Sequence, residues 1–134
     1  MKLLLVGCGA MGSALLRGWL NTNALQEVSV ISPHLENADQ FPGISFFHDI
    51  NEVNDKDWDI ILFAVKPKIL PNILHDYRKF IDDKTIFVSI AAALTLQSIQ
   101  ENLGESARCA RVMPNTPVII NKGVCGILMP DAGS

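Results

Sequence analysis

Hydrophobic and polar residues follow one another along this chain in blocks of the size expected for short strands and helices. The apolar blocks are rich in Val, Ile, Leu and Phe, and several are continuous rather than alternating. Continuous apolar runs are typical of strands that are buried on both faces of a sheet. The pattern predicts strands over residues 3–6, 27–32, 44–47, 59–65, 85–90, 107–112 and 123–129.

Segments with helical spacing separate these strands. Apolar residues recur at intervals of three and four over residues 11–19, so they share one face of a predicted helix. A second helix is predicted from residue 67 to about residue 80, with a proline in its first turn, where proline is tolerated. A third is predicted over residues 96–103, with Thr95 as its N-cap and Gly104 as its end.

The first predicted strand runs directly into the pattern G-x-G-x-x-G, formed by Gly7, Gly9 and Gly12. In a strand–turn–helix unit the first glycine allows a tight turn and the second lets the backbone approach a pyrophosphate. The third glycine lets the helix pack closely against the strand. The N-terminus of that helix carries free N–H groups and partial positive charge, which favour phosphate. Because strand, glycines and helix occur in this order, the pattern predicts a dinucleotide site.

The alternation of strands and helices predicts an α/β fold: a Rossmann-type, doubly wound, mostly parallel sheet that forms a single domain. A chain of 134 residues is long enough to bury one such core. Ligands of these sheets bind beyond the carboxyl ends of the strands. In this sequence those ends carry small or turn-forming residues at positions 7–9, 32, 65–67 and 91–93.

Composition narrows the classes of function. The net charge of −3 provides no basic surface for nucleic acid or for an anionic membrane. Cys8, Cys109 and Cys125 are too widely spaced for a zinc site or a disulfide framework, so we expect reduced thiols in a cytoplasmic protein. We expect neither a membrane span nor a signal peptide. The hydrophobic content of 49% suits a sheet covered on both faces, or a surface that awaits a partner.

The end of the second predicted strand bears on which dinucleotide is bound. An NAD site commonly has Asp or Glu there, which bonds the ribose 2′-OH, whereas this chain has Ser32. A hydroxyl does not repel a 2′-phosphate and can donate a hydrogen bond to it. The sequence therefore favours NADP and leaves NAD open, since no Arg lies nearby. The alternative is that Ser32 only caps a turn.

Short motifs in a fixed order distinguish this chain further. They read Gly-Cys-Gly-Ala-Met-Gly at residues 7–12, Ala-Val-Lys-Pro at 64–67, Ser-Ile-Ala-Ala at 89–92 and Arg-Val-Met-Pro-Asn-Thr-Pro at 111–117. Each is weak alone, but their order and spacing resemble the N-terminal part of the pyrroline-5-carboxylate reductase family. The resemblance extends over essentially the whole chain. Ala93 departs from it, because the family usually has Gly there and a side chain could crowd that loop.

The resemblance implies that NAD(P)H gives a hydride to the C=N carbon of 1-pyrroline-5-carboxylate and yields L-proline, a reaction in which positioning is the main task. It implies that the pyrophosphate lies on residues 6–11, the adenosine ribose near Ser32 and the adenine side near Asn51. Asn115 and Thr116 are candidates for contact with nicotinamide or substrate, or they only form a turn. No catalytic residue and no metal ligand is identified. The predicted cofactor-binding residues are Val6, Gly7, Cys8, Gly9, Ala10, Met11, Gly12, Ser32, Asn51, Ala64, Val65, Lys66, Pro67, Ile90, Ala91 and Ala92.

Charged and titratable side chains near the predicted cleft are few. Lys66 is the only cation at a strand end, and it either faces the cofactor or is a solvated lysine at the start of a helix. His48 and His75 are interpreted as a loop residue and a helix-surface residue.

The family's enzymes continue into an all-helical domain, which forms the dimer and supplies most of the substrate pocket. No segment of this chain resembles that domain. We therefore expect residues 1–134 to form one NAD(P)-binding Rossmann domain, either a fragment or a short relative that works with another chain. A homo-oligomer is expected only for a form with the helical domain. The expected partner is a small-molecule substrate, with neither nucleic acid nor membrane.

Two other functions stay open. The first is an NAD(P)-dependent reductase of the hydroxy-acid type, which shares the G-x-G-x-M-G start. The second is a dinucleotide-binding module without catalysis. The Met-Pro-Asn-Thr-Pro segment at residues 113–117 favours the pyrroline-5-carboxylate resemblance over the first. No segment of this chain resembles the family's helical domain, and this favours the dinucleotide-binding module without catalysis for this polypeptide as it stands.

Overall fold

The computed structural model describes residues 2–7, 16–17, 27–32, 43–54, 57–90 and 95–111. Within them, parallel strands form one sheet in the order β3-β2-β1-β4-β5-β6. This is the strand order of a Rossmann fold, so the predicted fold class is confirmed. The predicted strand at 123–129 lies outside the described residues. The strands are β1 (Lys2–Val6), β2 (Glu27–Ile31), β3 (Ser45–Phe47), β4 (Ile60–Phe63), β5 (Ile86–Ser89) and β6 (Arg108–Arg111).

Both faces of the sheet are buried, as the continuous apolar runs predict. Successive residues of a strand point to opposite faces. In β1, Leu3 and Leu5 therefore belong to one core cluster and Leu4 and Val6 to the other. Each of the three leucines is fully buried, and burial of one such side chain contributes about 1.5–3 kcal/mol. The helical residue Leu16 completes the first cluster.

The connection after β4 differs from the prediction of one helix over residues 67 to 80. An α-helix, α1, covers only Leu70–Ile73, and the chain continues as a 3-10 helix over Leu74–Phe80. The buried residues of the 3-10 segment are Leu74, Tyr77 and Phe80, which are spaced three positions apart. A 3-10 helix has three residues per turn, so this spacing places all three on one face, whereas an α-helix would spread them.

The helix after β5 is formed as predicted. Helix α2 covers Leu96–Leu103 and follows Thr95, whose hydroxyl accepts a hydrogen bond from the Ser98 N–H at 3.0 Å. It ends at Gly104, which has a φ of 137°. None of the helices in the described part of the chain has the length and hydropathy needed to cross a bilayer.

Candidate functional site

The centre of the sheet is the place where the direction of strand order reverses. From β1 the chain proceeds outward to β2 and β3, and from β4 it proceeds outward on the other side to β5 and β6. Beyond the carboxyl ends of β1 and β4 such a reversal opens a crevice. The backbone holds these ends together, since the Ala64 N–H donates to the Val6 carbonyl at 2.8 Å. The Gly7 N–H donates to the Ile31 carbonyl at 2.7 Å.

Gly7 is required by both its conformation and its surroundings. Its φ is +92°, in the left-handed region that side chains disfavour. A Cβ on Gly7 would lie 2.9 Å from Cγ1 of Val65 and 3.1 Å from the Ala64 carbonyl oxygen. The first glycine of the motif therefore lets β1 turn tightly against the end of β4, in the role predicted from the sequence.

A cavity of about 420 Å³ opens at this edge of the sheet. Its volume lies within the range of about 300–1,000 Å³ that is usual for small-molecule sites. The lining residues come from the ends of β1 and β2, the loop after β3, the turn after β4 and the helical segment that follows. They are Val6, Gly7, Ile31, Asp49, Ile50, Asn51, Val65, Ile69, Ile73, Asp76, Tyr77 and Lys79.

One wall of the cavity is a row of side chains on the segment after β4. Ile69, Ile73 and Tyr77 are spaced four residues apart, and Val65 precedes them. The Tyr77 ring packs perpendicular to the Phe63 ring, with an interplanar angle of 88° and a centroid separation of 5.0 Å. This edge-to-face packing is favourable and fixes the orientation of the tyrosine ring.

The loop after β3 forms another wall and is ordered by its own acidic side chains. Oδ1 of Asp49 accepts a hydrogen bond from the Asn51 N–H at 2.6 Å, which caps the 3-10 helix Ile50–Glu52. Oε1 of Glu52 accepts from the His48 N–H at 2.9 Å. These bonds satisfy N–H groups at the start of the helix and hold Asn51 at the cavity.

Among the described residues, the charged groups that line the cavity are two carboxylates and one ammonium group. Asp49 and Asp76 line the cavity, as does Lys79, whose Nζ donates to the Ile50 carbonyl at 3.3 Å. Burial raises the pKa of Tyr77 well above its ordinary value, and the charges of Asp76 and Asp49 raise it further. The tyrosine hydroxyl is therefore neutral over the physiological pH range.

Four of the predicted cofactor-binding residues line the cavity together: Val6, Gly7, Asn51 and Val65. A fifth, Ala64, packs against Gly7 through its carbonyl group. The remaining described ones lie outside the lining: Ser32 is buried at the end of β2, Lys66 and Pro67 are exposed, and Ile90 packs against the core. The predictions for Cys8, Gly9, Ala10, Met11, Gly12, Ala91, Ala92, Asn115 and Thr116 lie outside the described residues.

The position of Lys66 bears on the two interpretations left open by the sequence. Its side chain is exposed and is not part of the cavity lining, while its carbonyl accepts from the Ile69 N–H at 2.9 Å. The exposure and the turn are compatible with a solvated lysine, and the predicted contact with the cofactor stays a prediction. His48 and His75 are also exposed, in a loop and on a helix, as interpreted from the sequence.

Most of the cavity wall was not identified by sequence reasoning. The spacing of four between residues 69, 73 and 77 is a usable signal, because it marks one face of a helix that starts at a strand end. No comparable signal marks the loop after β3, since its place at the cavity depends on how the sheet is assembled. The lining residues that the sequence analysis did not name are Ile31, Asp49, Ile50, Ile69, Ile73, Asp76, Tyr77 and Lys79.

Comparisons with known proteins agree with this architecture. The chain is 33% identical over 132 residues to pyrroline-5-carboxylate reductase of Escherichia coli, covering 94% of this chain and 48% of that protein. The chain thus spans about half the length of the curated relatives it matches. A solved pyrroline carboxylate reductase of Plasmodium falciparum with NADP bound is 30% identical, with a TM-score of 0.74. That match covers 90% of this chain and 44% of the solved one.

A second solved structure shows the fold alone. The pyrroline-5-carboxylate reductase of Coxiella burnetii is 24% identical, covers 86% of this chain and 44% of its own, and has a TM-score of 0.76. Residues 2–93 match the model of the family described as NADP oxidoreductase coenzyme F420-dependent. This match covers more than half of the 134 residues. The chain therefore belongs to that family of oxidoreductases.

Proposed function

We propose that this chain is the cofactor-binding half of an NADP(H)-dependent enzyme that reduces 1-pyrroline-5-carboxylate to L-proline. The observation that carries the proposal is the likeness, over 90% of the chain, to a pyrroline carboxylate reductase that holds NADP. The glycine turn and cavity of this chain lie where a dinucleotide is bound in folds of this strand order.

The described residues fit a dinucleotide. The backbone at Gly7 is bare of a side chain and borders the cavity, so a pyrophosphate can approach the end of β1 closely. The largely apolar cavity beside it suits the flat base of an adenosine, with Asn51 at its wall. When bound, the reduced cofactor supplies the hydride, and the residues of this chain bind and orient it.

The roles proposed for the other site residues rest on the sequence analysis. Residues 8–12 complete the pyrophosphate loop, and the segments 64–67 and 90–92 line the way to the nicotinamide. Ser32 lies at the ribose of the adenosine, where the lack of a carboxylate favours NADP over NAD. Asn115 and Thr116 contact the nicotinamide or the imine substrate.

The proposal includes the setting of this domain. Residues 1–134 form a single dinucleotide-binding domain, and the rest of the substrate pocket comes from a segment equivalent to the unmatched half of the relatives. A homo-oligomer forms through that half. The protein acts in the cytoplasm on a small molecule and binds no nucleic acid.

The first test is cofactor binding by the 134-residue chain. A ligand that binds only the folded state at one hundred times its dissociation constant stabilises that state by about 2.7 kcal/mol. For a domain of this size we expect a rise in melting temperature of about 5–15 °C with NADPH and a smaller rise with NADH. The absence of a shift with either cofactor at millimolar concentration contradicts the proposal.

The second test is catalysis by a chimera. This chain replaces the corresponding half of the Escherichia coli reductase, and oxidation of NADPH with the imine substrate is followed. We expect turnover by the chimera and none by this chain alone, because holding the imine in reach of the hydride accounts for about 7–11 kcal/mol of a barrier. A folded chimera that binds NADPH but does not turn over would favour the module without catalysis.

A further inference from the structure

The hydroxyl group of Tyr77 is buried without a hydrogen-bond partner among the residues that the structure describes. Tyr77 is only 3% exposed and lines the cavity. Within the described part of the chain, its hydroxyl forms no hydrogen bond. By contrast, the buried hydroxyl of Thr85 donates to the Trp58 carbonyl at 2.6 Å. A buried polar group without a partner is costly, so such a group at a cavity points to a ligand.

The surroundings of the Tyr77 ring leave the cavity as the place for that partner. Phe63 packs edge-on against the ring at 5.0 Å, and the Phe80 ring lies 6.1 Å away. Neither neighbour offers a polar atom to the hydroxyl. Asp49, on the wall formed by the loop after β3, and Asp76 line the same cavity as Tyr77.

The rest of the lining indicates the chemistry of the ligand. Branched apolar side chains of Ile31, Val65, Ile69 and Ile73 form walls that suit a flat, uncharged ring. The two carboxylates of Asp49 and Asp76 outnumber the Lys79 ammonium group and so disfavour phosphate in the cavity itself, whereas the bare backbone at Gly7 admits phosphate at its border. A heterocyclic base therefore suits the cavity, with its phosphates placed at the glycine turn.

We propose that the Tyr77 hydroxyl donates a hydrogen bond to ring nitrogen N1 of the adenine base, on the edge opposite the ribose. This inference rests on the proposed function, since it requires a dinucleotide in the cavity. With the phosphates at Gly7, the ribose would extend from the base toward the glycine turn, and the edge with ring nitrogen N1 would face into the cavity. N1 of adenine accepts hydrogen bonds, so the phenol is the donor in this bond.

The test compares NADPH with its 1-deaza analogue, in which a C–H group replaces ring nitrogen N1 of the adenine and removes the acceptor. Calorimetric titrations use the wild-type chain and Tyr77→Phe. We expect the wild type to bind NADPH more tightly than the analogue. Tyr77→Phe should weaken NADPH binding about three- to tenfold, the range of one hydrogen bond, and reduce the preference for adenine.

A structural role for Tyr77 predicts different readouts. Because the hydroxyl has no partner among the described residues, Tyr77→Phe should melt at the same temperature as the wild type or higher without ligand. A matched variant on the same wall, Ile69→Val, should weaken both dinucleotides equally and keep their ratio. Tyr77 is the single tyrosine of the chain, so with a ¹³Cζ label one NMR signal should move when NADPH is added.

The outcomes separate this inference from the proposed function. If the wild type binds NADPH while Tyr77→Phe shows the same affinities and the same ratio, the Tyr77 contact is wrong and the proposed function stands. A tyrosine signal that does not move with saturating NADPH leads to the same conclusion. If the wild type binds neither dinucleotide, both proposals are wrong.

Discussion

The two ends of the sheet treat their polar groups in opposite ways. At the amino end, polar groups of the chain form hydrogen bonds with one another. The Lys2 N–H donates to Oδ2 of Asp59 at 2.7 Å, and the Asp59 N–H donates to the Lys2 carbonyl at 2.9 Å. Nζ of Lys2 lies 4.7 Å from the centroid of the Trp58 ring, and Lys84 pairs with Asp59 at 3.6 Å. The interactions at this end of the sheet contribute to the stability of the fold.

At the carboxyl end the described residues leave a cavity and one buried polar group without a partner. Gly7 holds a side-chain-free turn against β4, and Tyr77, whose hydroxyl has no partner in this part of the chain, lines the cavity beside it. The difference shows where to look for function in this fold. Binding residues lie at the end of the sheet where a buried polar group lacks a partner among the described residues. Substitutions at the two ends should therefore separate stability from ligand binding.

The largest effect is expected for Gly7→Ala, a substitution at the carboxyl end of the sheet. The added Cβ meets Val65 at 2.9 Å, and the residue keeps a φ of +92°. Left-handed strain and overpacking together should lower the free energy of unfolding by about 2–4 kcal/mol. NADPH affinity should fall more than tenfold, as measured by calorimetry on the fraction that remains folded.

The matched control for this variant is Gly43→Ala. Gly43 has a φ of +90°, but no atom lies within 4 Å of an added Cβ. The free energy of unfolding of Gly43→Ala should therefore fall only by the cost of the left-handed backbone, about 1–2 kcal/mol, and its NADPH affinity should not change. Equal losses in the two variants would show that the close approach at Gly7 has no energetic consequence.

The next effect concerns the amino end. Thr85→Val keeps the shape of a fully buried side chain but removes the hydrogen bond to the Trp58 carbonyl. The Trp58 carbonyl loses this donor, so urea denaturation should show a loss of about 1–3 kcal/mol. NADPH affinity, corrected for the folded fraction, should not change. A loss of affinity would mean that the two ends are coupled.

A smaller effect is expected for Asp49→Asn. The amide oxygen can still accept from the Asn51 N–H, but one negative charge leaves the cavity wall. Binding of the multiply charged NADPH should become about two- to fivefold tighter at low salt, and the gain should fade at high salt. The control Asp57→Asn, at the amino end, should bind as the wild type does. Unchanged binding by Asp49→Asn at low salt would remove Asp49 from the site.

The last effect is a loss of stability at alkaline pH. Burial raises the pKa of Cys109 from 9.0 to about 11, and it also raises that of Tyr77 above 10.0. Because the unfolded chain loses these protons first, stability is constant below about pH 9 and declines between pH 9 and pH 11. Denaturation curves at pH 8, 9.5 and 10.5 measure the decline, and Tyr77→Phe should reduce it. An equal decline in both proteins would contradict the contribution of Tyr77.

The strands and the glycine turn could be predicted from the sequence because their signals are local. Apolar runs that end in turn residues identify β1 and β4, and the glycine spacing identifies the tight turn at Gly7. The cavity could not be predicted, because it joins Asp49 and Tyr77, which are distant in the sequence. The 3-10 geometry that buries Tyr77 was also missed, since spacings of three and four occur together in that segment.

The central claim is that the carboxyl end of the sheet is the dinucleotide site, and an NMR titration of the ¹⁵N-labelled chain with NADPH tests it most directly. The account predicts shifts at the amides of Val6, Gly7, Asn51 and Val65, with those of Trp58 and Thr85 unchanged. Shifts confined to the amino end, or no shifts at saturating NADPH, would contradict it.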